Sequence, residues 1–153
     1  MTGCGRENSQ VKVDTGPKTG RVVGIGGIFY KSKDPEATKA WYASNLGFTL
    51  NESGALFEFA TTTGPEYLQW SPFPDSTSYF LPSTNPYMIN YRVENLDELV
   101  VQLRNNGVII LDSIESYSYG KFVHILDHDN NKIELWEPID SVFTRMYKDK
   151  TIR

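Results

Sequence analysis

The chain has 153 residues, of which 39% are hydrophobic and 22% charged, so it is composed like a globular protein and can bury one core. Its formal net charge of −4 argues against a nucleic-acid partner, and no apolar run reaches the roughly 20 residues that span a bilayer. A single cysteine excludes an internal disulfide and a cysteine-rich zinc site.

The first 20 residues are polar and predict a disordered tail or tether. The segment Met1-Thr2-Gly3-Cys4-Gly5 is similar to the end of a bacterial lipoprotein signal, although the apolar stretch that precedes such a cysteine is missing. Two locations therefore stay open. We expect a cytoplasmic protein, and the alternative is a lipid anchor at Cys4 if the start is truncated.

A first βαβββ unit is predicted after this tail. Residues 22–31 are rich in β-branched and aromatic residues, as in a strand. Asp34-Pro35-Glu36 is typical of a helix start and Gly47 of a helix end, with Ala37, Ala40, Trp41 and Ser44 as the inward stripe. Further strands are predicted at 48–51, 55–61 and 66–71.

After a proline-rich connector at residues 72–86, the same pattern returns. Residues 87–93 predict a strand, and Asn95 with Glu98 resembles a capping box. The helix has a stripe of Leu96, Leu99, Val100 and Leu103 and ends at Gly107. Strands are predicted at 108–111, 113–118, 121–126 and 132–137.

This restart after about 60 residues indicates an internal duplication. We predict an α+β domain over residues 21–138, in which module one (21–72) and module two (87–138) form a curved mixed sheet around a cavity. Residues 139–153 form a tail or a short helix. The alternative is a generic α+β sheet without duplication.

Three segments resemble the vicinal oxygen chelate superfamily, which contains glyoxalases, bleomycin resistance proteins and extradiol dioxygenases. The first is Lys33-Asp34-Pro35-Glu36 followed by Trp41-Tyr42 and Leu46-Gly47-Phe48. The second is Tyr91-Arg92-Val93-Glu94-Asn95-Leu96-Asp97. The third and most specific is Asp127-His128-Asp129-Asn130-Asn131-Lys132-Ile133-Glu134-Leu135-Trp136-Glu137-Pro138. The resemblance implies two βαβββ modules around a ligand cavity.

The resemblance also implies where a metal would bind. Metal-dependent members take ligands from the first and fourth strands of each module, and their closing glutamate matches Glu134. The other expected positions fall near Gly27 and Met88, which are unsuitable ligands for a hard divalent metal. In the fourth strand of module one, Gln69 and Glu66 could supply oxygen. We therefore expect a degenerate metal site with Glu134 and Gln69 as weak candidates, and a divalent metal is the one cofactor left open.

Strand geometry predicts a His–Glu pair in this cavity. If residues 127–131 form a hairpin loop, His124 lies opposite Glu134. Alternation then directs one set of side chains into the cavity, namely Phe29, Met88, Asn90, Arg92, Phe122, His124, Glu134 and Trp136. Trp70, Phe73, Tyr79 and Phe80 are expected to form a lid or rim, with Trp70 as a further substrate-binding residue, and the alternative is simple core packing.

These residues leave several functions open. We favour an enzyme of the isomerase or lyase type, in which Glu134 and His124 are catalytic and Phe29, Met88, Asn90, Arg92, Phe122, Trp136 and Trp70 bind a small-molecule substrate. The competing interpretation is that Glu134 is a structural ion pair with His124 or Arg92. A metal-free binding or sequestration protein of the resistance type, with a homodimer left open, is the alternative function. A metal-dependent lactoylglutathione lyase is a third, less favoured one.

Overall fold

Residues 19–153, which the computed structural model describes, form nine strands and three helices. The predicted tail at 1–18 and Cys4 lie outside the described residues. In chain order the elements are β1 (Arg21–Ser32), α1 (Pro35–Leu46), β2 (Leu50–Asn51), β3 (Gly54–Thr61), β4 (Gly64–Pro74), β5 (Tyr87–Glu94), α2 (Leu96–Asn105), β6 (Ile109–Ile110), β7 (Glu115–Tyr117), β8 (Gly120–Leu126), β9 (Lys132–Pro138) and α3 (Asp140–Met146).

The strands form one curved sheet that repeats the same pairing twice. Strand order is β2-β3-β4-β1-β5-β9-β8-β6, with β7 also on β8. In module one, β1 pairs parallel with β4, and in module two β5 pairs parallel with β9. The modules join where β1 and β5 run antiparallel. The predicted duplication is therefore confirmed, and a generic sheet without repeats is wrong.

Helix α1 begins and ends where its sequence predicts. The Asp34 carboxylate accepts a hydrogen bond from the Ala37 amide, Pro35 stands in the first turn, and Gly47 adopts a left-handed conformation with φ of 70°. The predicted inward stripe is wrong, however, since Trp41 is 55% exposed. Tyr42 makes the contact with the sheet instead, with its ring centroid 4.6 Å from that of Trp70.

Helix α2 ends at Gly107 as predicted, but its start differs from the capping box. Asn95 adopts a left-handed conformation with φ of 55°, and its side chain makes no capping hydrogen bond among the described residues. The Leu96 amide donates to Glu137 Oε2 at 3.1 Å instead. A tertiary carboxylate from β9 therefore replaces the local cap.

The main core lies on the convex face, between the sheet and α2. Its buried residues are Val93, Leu96, Leu99, Val100, Val123, Ile125 and Leu135. On the same face of module one, Trp70 packs against Tyr30, Tyr42 and Phe48. The predicted placement of Trp70 at the cavity is therefore wrong, because strand alternation in β4 turns it away from the concave face.

Some predicted boundaries shift. Strand β4 continues to Pro74, inside the predicted connector, whereas the strand predicted at 113–118 is shorter, Glu115–Tyr117. Within residues 19–153, no helix has the length and apolar character to cross a membrane.

The C-terminal segment, residues 139–153, does more than form a short helix. Its helix α3 lies against β4, and Ile152 then makes a parallel bridge to Phe57 on β3. Arg153 adds an ion pair with Glu58 at 3.2 Å. We call this segment the C-terminal strap, because it crosses the concave side of the sheet and is held at both ends.

Candidate functional site

The concave face of the sheet encloses a cavity of about 630 Å³. Its wall is rich in aromatic rings from both modules and from the C-terminal strap: Phe29, Phe73, Tyr79, Tyr117, Tyr119, Phe122, Trp136, Phe143 and Tyr147. Phe122 and Trp136 lie nearly parallel, with an interplanar angle of 6° and centroids 5.8 Å apart. Such walls suit a flat, largely apolar ligand.

The cavity floor contains a row of neighbouring polar side chains. Strand register places Asn90 beside Glu134, and Glu134 beside His124. The His124–Glu134 pairing is as predicted from the hairpin. Asn90 Nδ2 donates to Glu134 Oε1 at 2.6 Å, and His124 Nε2 lies 2.9 Å from Glu134 Oε2. All three residues are buried, at 2%, 3% and 8% exposure.

Asp112 lies on the other side of the imidazole. Its carboxylate accepts from the His124 backbone amide at 2.8 Å and lies 2.6 Å from His124 Nδ1. Both ring nitrogens of His124 therefore face carboxylates, an arrangement that satisfies a doubly protonated imidazolium.

Tyr79 adds a phenol to this group of side chains. It comes from the segment between β4 and β5, and its hydroxyl donates to Glu134 Oε2 and lies 3.2 Å from His124 Nε2. Its ring stacks on Phe73 with an interplanar angle of 1°. Lys132 Nζ binds the Tyr79 carbonyl at 2.6 Å and lies 5.0 Å from the centre of its ring. We call Tyr79, Asn90, Asp112, His124 and Glu134 the polar centre.

The surrounding groups favour opposite charges on His124 and Glu134. Burial alone would lower the pKa of His124, but its hydrogen bonds with Glu134 and Asp112 outweigh burial and raise it. Burial alone would raise the pKa of Glu134, but hydrogen bonds from His124, Tyr79 and Asn90 lower it. Burial and the neighbouring Glu134 carboxylate raise the pKa of Tyr79, so its phenol stays neutral. The polar centre thus stabilises the charged form of His124 between two carboxylates.

The structure brings together most of the predicted site residues. Phe29, Asn90, Phe122, His124, Glu134 and Trp136 all line the cavity. Met88 does not, because it is fully buried beneath Phe80. Arg92 lies at the closed end, where Nη2 is 2.6 Å from Asp140 and its guanidinium is 5.4 Å from the Trp136 ring. Arg92 thus holds the strap rather than facing the cavity.

Sequence reasoning missed Asp112 and the strap residue Phe143. Asp112 follows the two-residue strand β6, and no local motif marks it as a partner of His124. Phe143 contacts Trp136 at 5.2 Å between centroids and lines the cavity. The aromatic residues of 139–153 were the available signal for the strap. Tyr79, predicted at the rim, lies on the polar centre itself.

The residues present do not fit the metal site of metal-dependent relatives. In module one, Gly27 on β1 pairs with Gln69 on β4, and in module two Asn90 on β5 pairs with Glu134 on β9. The position equivalent to Gly27 is therefore Asn90 and not Met88. The Gln69 amide nitrogen is turned to its own strand, at 3.0 Å from the Trp70 carbonyl and 3.1 Å from Ser71 Oγ. Glu134 already accepts three donors. Across residues 19–153, no group of three His, Cys, Asp or Glu side chains is arranged to hold an ion.

Comparison with known families agrees with this architecture. Residues 24–135 match the Glyoxalase/Bleomycin resistance protein/Dioxygenase superfamily, which is well over half of the chain. The chain belongs to this superfamily. The C-terminal strap lies beyond the matched residues. No curated protein sequence matches the chain significantly.

Solved structures share the fold of this superfamily member. Methylmalonyl-CoA epimerase from Mycobacterium tuberculosis has a TM-score of 0.56 and 20% identity, over 80% of this chain and 93% of that chain. A Streptomyces coelicolor methylmalonyl-CoA epimerase variant in complex with 2-nitronate-propionyl-CoA has a TM-score of 0.58 and 18% identity, over 78% of this chain and 99% of that chain. At these identities the likeness concerns the fold alone.

Proposed function

We propose that this superfamily member binds a small aromatic molecule in its cavity without converting it, as a binding or sequestration protein. The observation that carries the proposal is the state of Glu134. Its carboxylate accepts hydrogen bonds from Asn90, His124 and Tyr79, and these bonds lower its pKa. A general base becomes weaker as its pKa falls, so the arrangement favours recognition over proton abstraction.

The cavity wall supports the same proposal. Flat rings such as Phe122 and Trp136 gain contact area with a planar ligand at a low entropic cost. Tyr117 and Tyr119 form a second stacked pair, with centroids 5.3 Å apart and an interplanar angle of 5°. These two pairs provide apolar surface, while the polar centre provides orientation.

A thermal-shift screen of aromatic compounds, followed by mass analysis of the recovered ligand, tests this function. A ligand that binds the native state raises the apparent stability, and the rise grows with the logarithm of its concentration over Kd. We expect hits to be recovered unchanged after long incubation. Conversion of a hit, at a rate that depends on protein concentration, would contradict a pure binding role.

An enzyme of the isomerase or lyase type is the second candidate, and one observation favours it. Glu134 is ionised at neutral pH, and among residues 19–153 its Oε1 accepts from Asn90 alone, so one lone pair could meet a substrate proton. If a turnover substrate is found, Glu134→Gln should abolish turnover while leaving substrate binding measurable. Full activity in Glu134→Gln would remove the enzyme hypothesis as formulated here.

The metal-dependent lactoylglutathione lyase is not favoured by the donor set described above. Its test is direct: metal analysis of purified protein and lyase assays before and after chelation. Stoichiometric nickel or zinc, together with lyase activity that is lost on chelation, would support this function.

A further inference from the structure

We propose that the polar centre recognises a neutral hydroxyl on an aromatic ring, and that Tyr79 occupies this position in the ligand-free protein. The inference rests on the proposed binding function and names the ligand class. The Tyr79 hydroxyl donates to Glu134 Oε2 and lies 3.2 Å from His124 Nε2. A phenol from the chain itself thus already shows which group the site accepts.

The two partners of this hydroxyl restrict the chemistry of a ligand that replaces it. Glu134 is an anion and needs a donor, and the N–H of His124, which already bonds to Glu134 Oε2 at 2.9 Å, can share its hydrogen with an acceptor at the Tyr79 position, 3.2 Å away. A hydroxyl provides both in one atom. A carboxylate would be repelled by Glu134, an ammonium has no acceptor for the His124 N–H, and an ether would leave Glu134 without its third donor.

The position of Tyr79 makes its replacement feasible. Tyr79 is 38% exposed and comes from the segment between β4 and β5, whereas Asn90, His124 and Glu134 lie on strands and are buried. Its ring stacks on Phe73 and meets the His124 ring edge-on, with centroids 5.6 Å and 5.3 Å away. A phenolic ligand that enters the cavity can therefore displace the Tyr79 hydroxyl while the strand residues keep their places.

The test uses three flat probes of equal ring size: 2-naphthol, 2-methoxynaphthalene and 2-naphthoate. Their Kd values are measured by calorimetry at neutral pH with the full chain and with Tyr79→Phe. This substitution removes the competing hydroxyl and keeps the ring on Phe73. In the wild-type protein the hydrogen bond of 2-naphthol only replaces that of Tyr79, so we expect 2-naphthol and 2-methoxynaphthalene to bind with similar affinities.

The substitution gives the decisive comparison. In Tyr79→Phe the affinity for 2-naphthol should rise about tenfold and that for 2-methoxynaphthalene should stay unchanged, because the displaced hydrogen bond no longer competes. Tyr87→Phe is the control, since Tyr87 also carries a phenol but is 46% exposed and lies outside the cavity wall. It should leave both affinities as they are.

Other outcomes overturn the inference and separate it from the proposed function. Three results would refute hydroxyl recognition while aromatic binding stands: equal affinities of Tyr79→Phe for 2-naphthol and 2-methoxynaphthalene, a parallel change of both neutral probes on this substitution, or tighter binding of 2-naphthoate. Failure of all three probes, when other aromatic compounds bind, would also refute it. Failure of every aromatic compound would instead remove the proposed function.

Discussion

Glu134→Gln should destabilise the protein strongly, because it breaks a buried ion pair. The substitution leaves the His124 imidazolium, 8% exposed, with an amide 2.9 Å away where a carboxylate stood. Breaking such a pair costs about 3–5 kcal/mol. His124 keeps Asp112 and can release its proton, so we expect the lower end, about 3 kcal/mol. For a domain of this size this loss lowers Tm by about 6–12 °C.

Urea unfolding followed by tryptophan fluorescence measures this loss, and its pH dependence tests the cause. The loss should be largest below about pH 6.5, where His124 is charged in the folded and unfolded states, and should shrink as pH rises through the raised folded pKa. Glu115→Gln is the matched control, because Glu115 also lines the cavity but is exposed. It should change stability by less than about 0.5 kcal/mol. Equal losses in both variants, or a loss independent of pH, would refute the ion-pair reasoning.

The wild-type protein should be most stable between about pH 4.5 and 6.5. Because the pKa of His124 is raised in the folded state, the contribution of His124 to the free energy of unfolding decreases at higher pH. Because the pKa of Glu134 is lowered, the contribution of Glu134 decreases at lower pH. A stability maximum above pH 8 in urea titrations would contradict this. Phe143→Ala should speed ligand dissociation in stopped-flow measurements, because the Phe143 ring contacts Trp136 over the cavity, with centroids 5.2 Å apart. An unchanged dissociation rate would mean that the strap does not control the exit of the ligand. Gly26→Ala should cost about 1–3 kcal/mol of stability in urea unfolding, since its Cβ would lie 2.3 Å from Asn90 Oδ1. Gly24→Ala, whose Cβ would lie 3.8 Å from its nearest neighbour, is its control, and similar losses in both would contradict the steric argument.

The fold was largely predictable because its signals are local and repeated. Apolar alternation in β9 sends Ile133 and Leu135 to the core beneath α2 and turns Glu134 and Trp136 to the cavity. The hairpin between β8 and β9 then fixes His124 opposite Glu134 by register alone. Both steps need only the neighbouring sequence.

The rest of the polar centre could not be predicted because it depends on tertiary contacts. Asp112 reaches His124 since β6 pairs with the end of β8, which brings the residues after β6 alongside the imidazole. Tyr79 lies in a proline-rich segment without periodicity, so its direction follows from packing on Phe73. The same holds for Asn95, where the Glu137 carboxylate of β9 takes the place of the predicted local cap.

Apart from Tyr79, the polar centre belongs to module two although the sheet repeats in both modules, and the glycines of β1 explain this asymmetry. Gly27 and Asn90 occupy equivalent and adjacent register positions. A Cβ at Gly27 would lie 2.8 Å from the Phe29 ring and 3.2 Å from Asn90 Cβ, so module one provides space there instead of a side chain. Asn90 can then sit against β1 and orient Glu134 from one side while His124 holds it from the other. The absence of a side chain at Gly27 in module one thus makes room for Asn90, which orients the hydrogen-bonded carboxylate of module two.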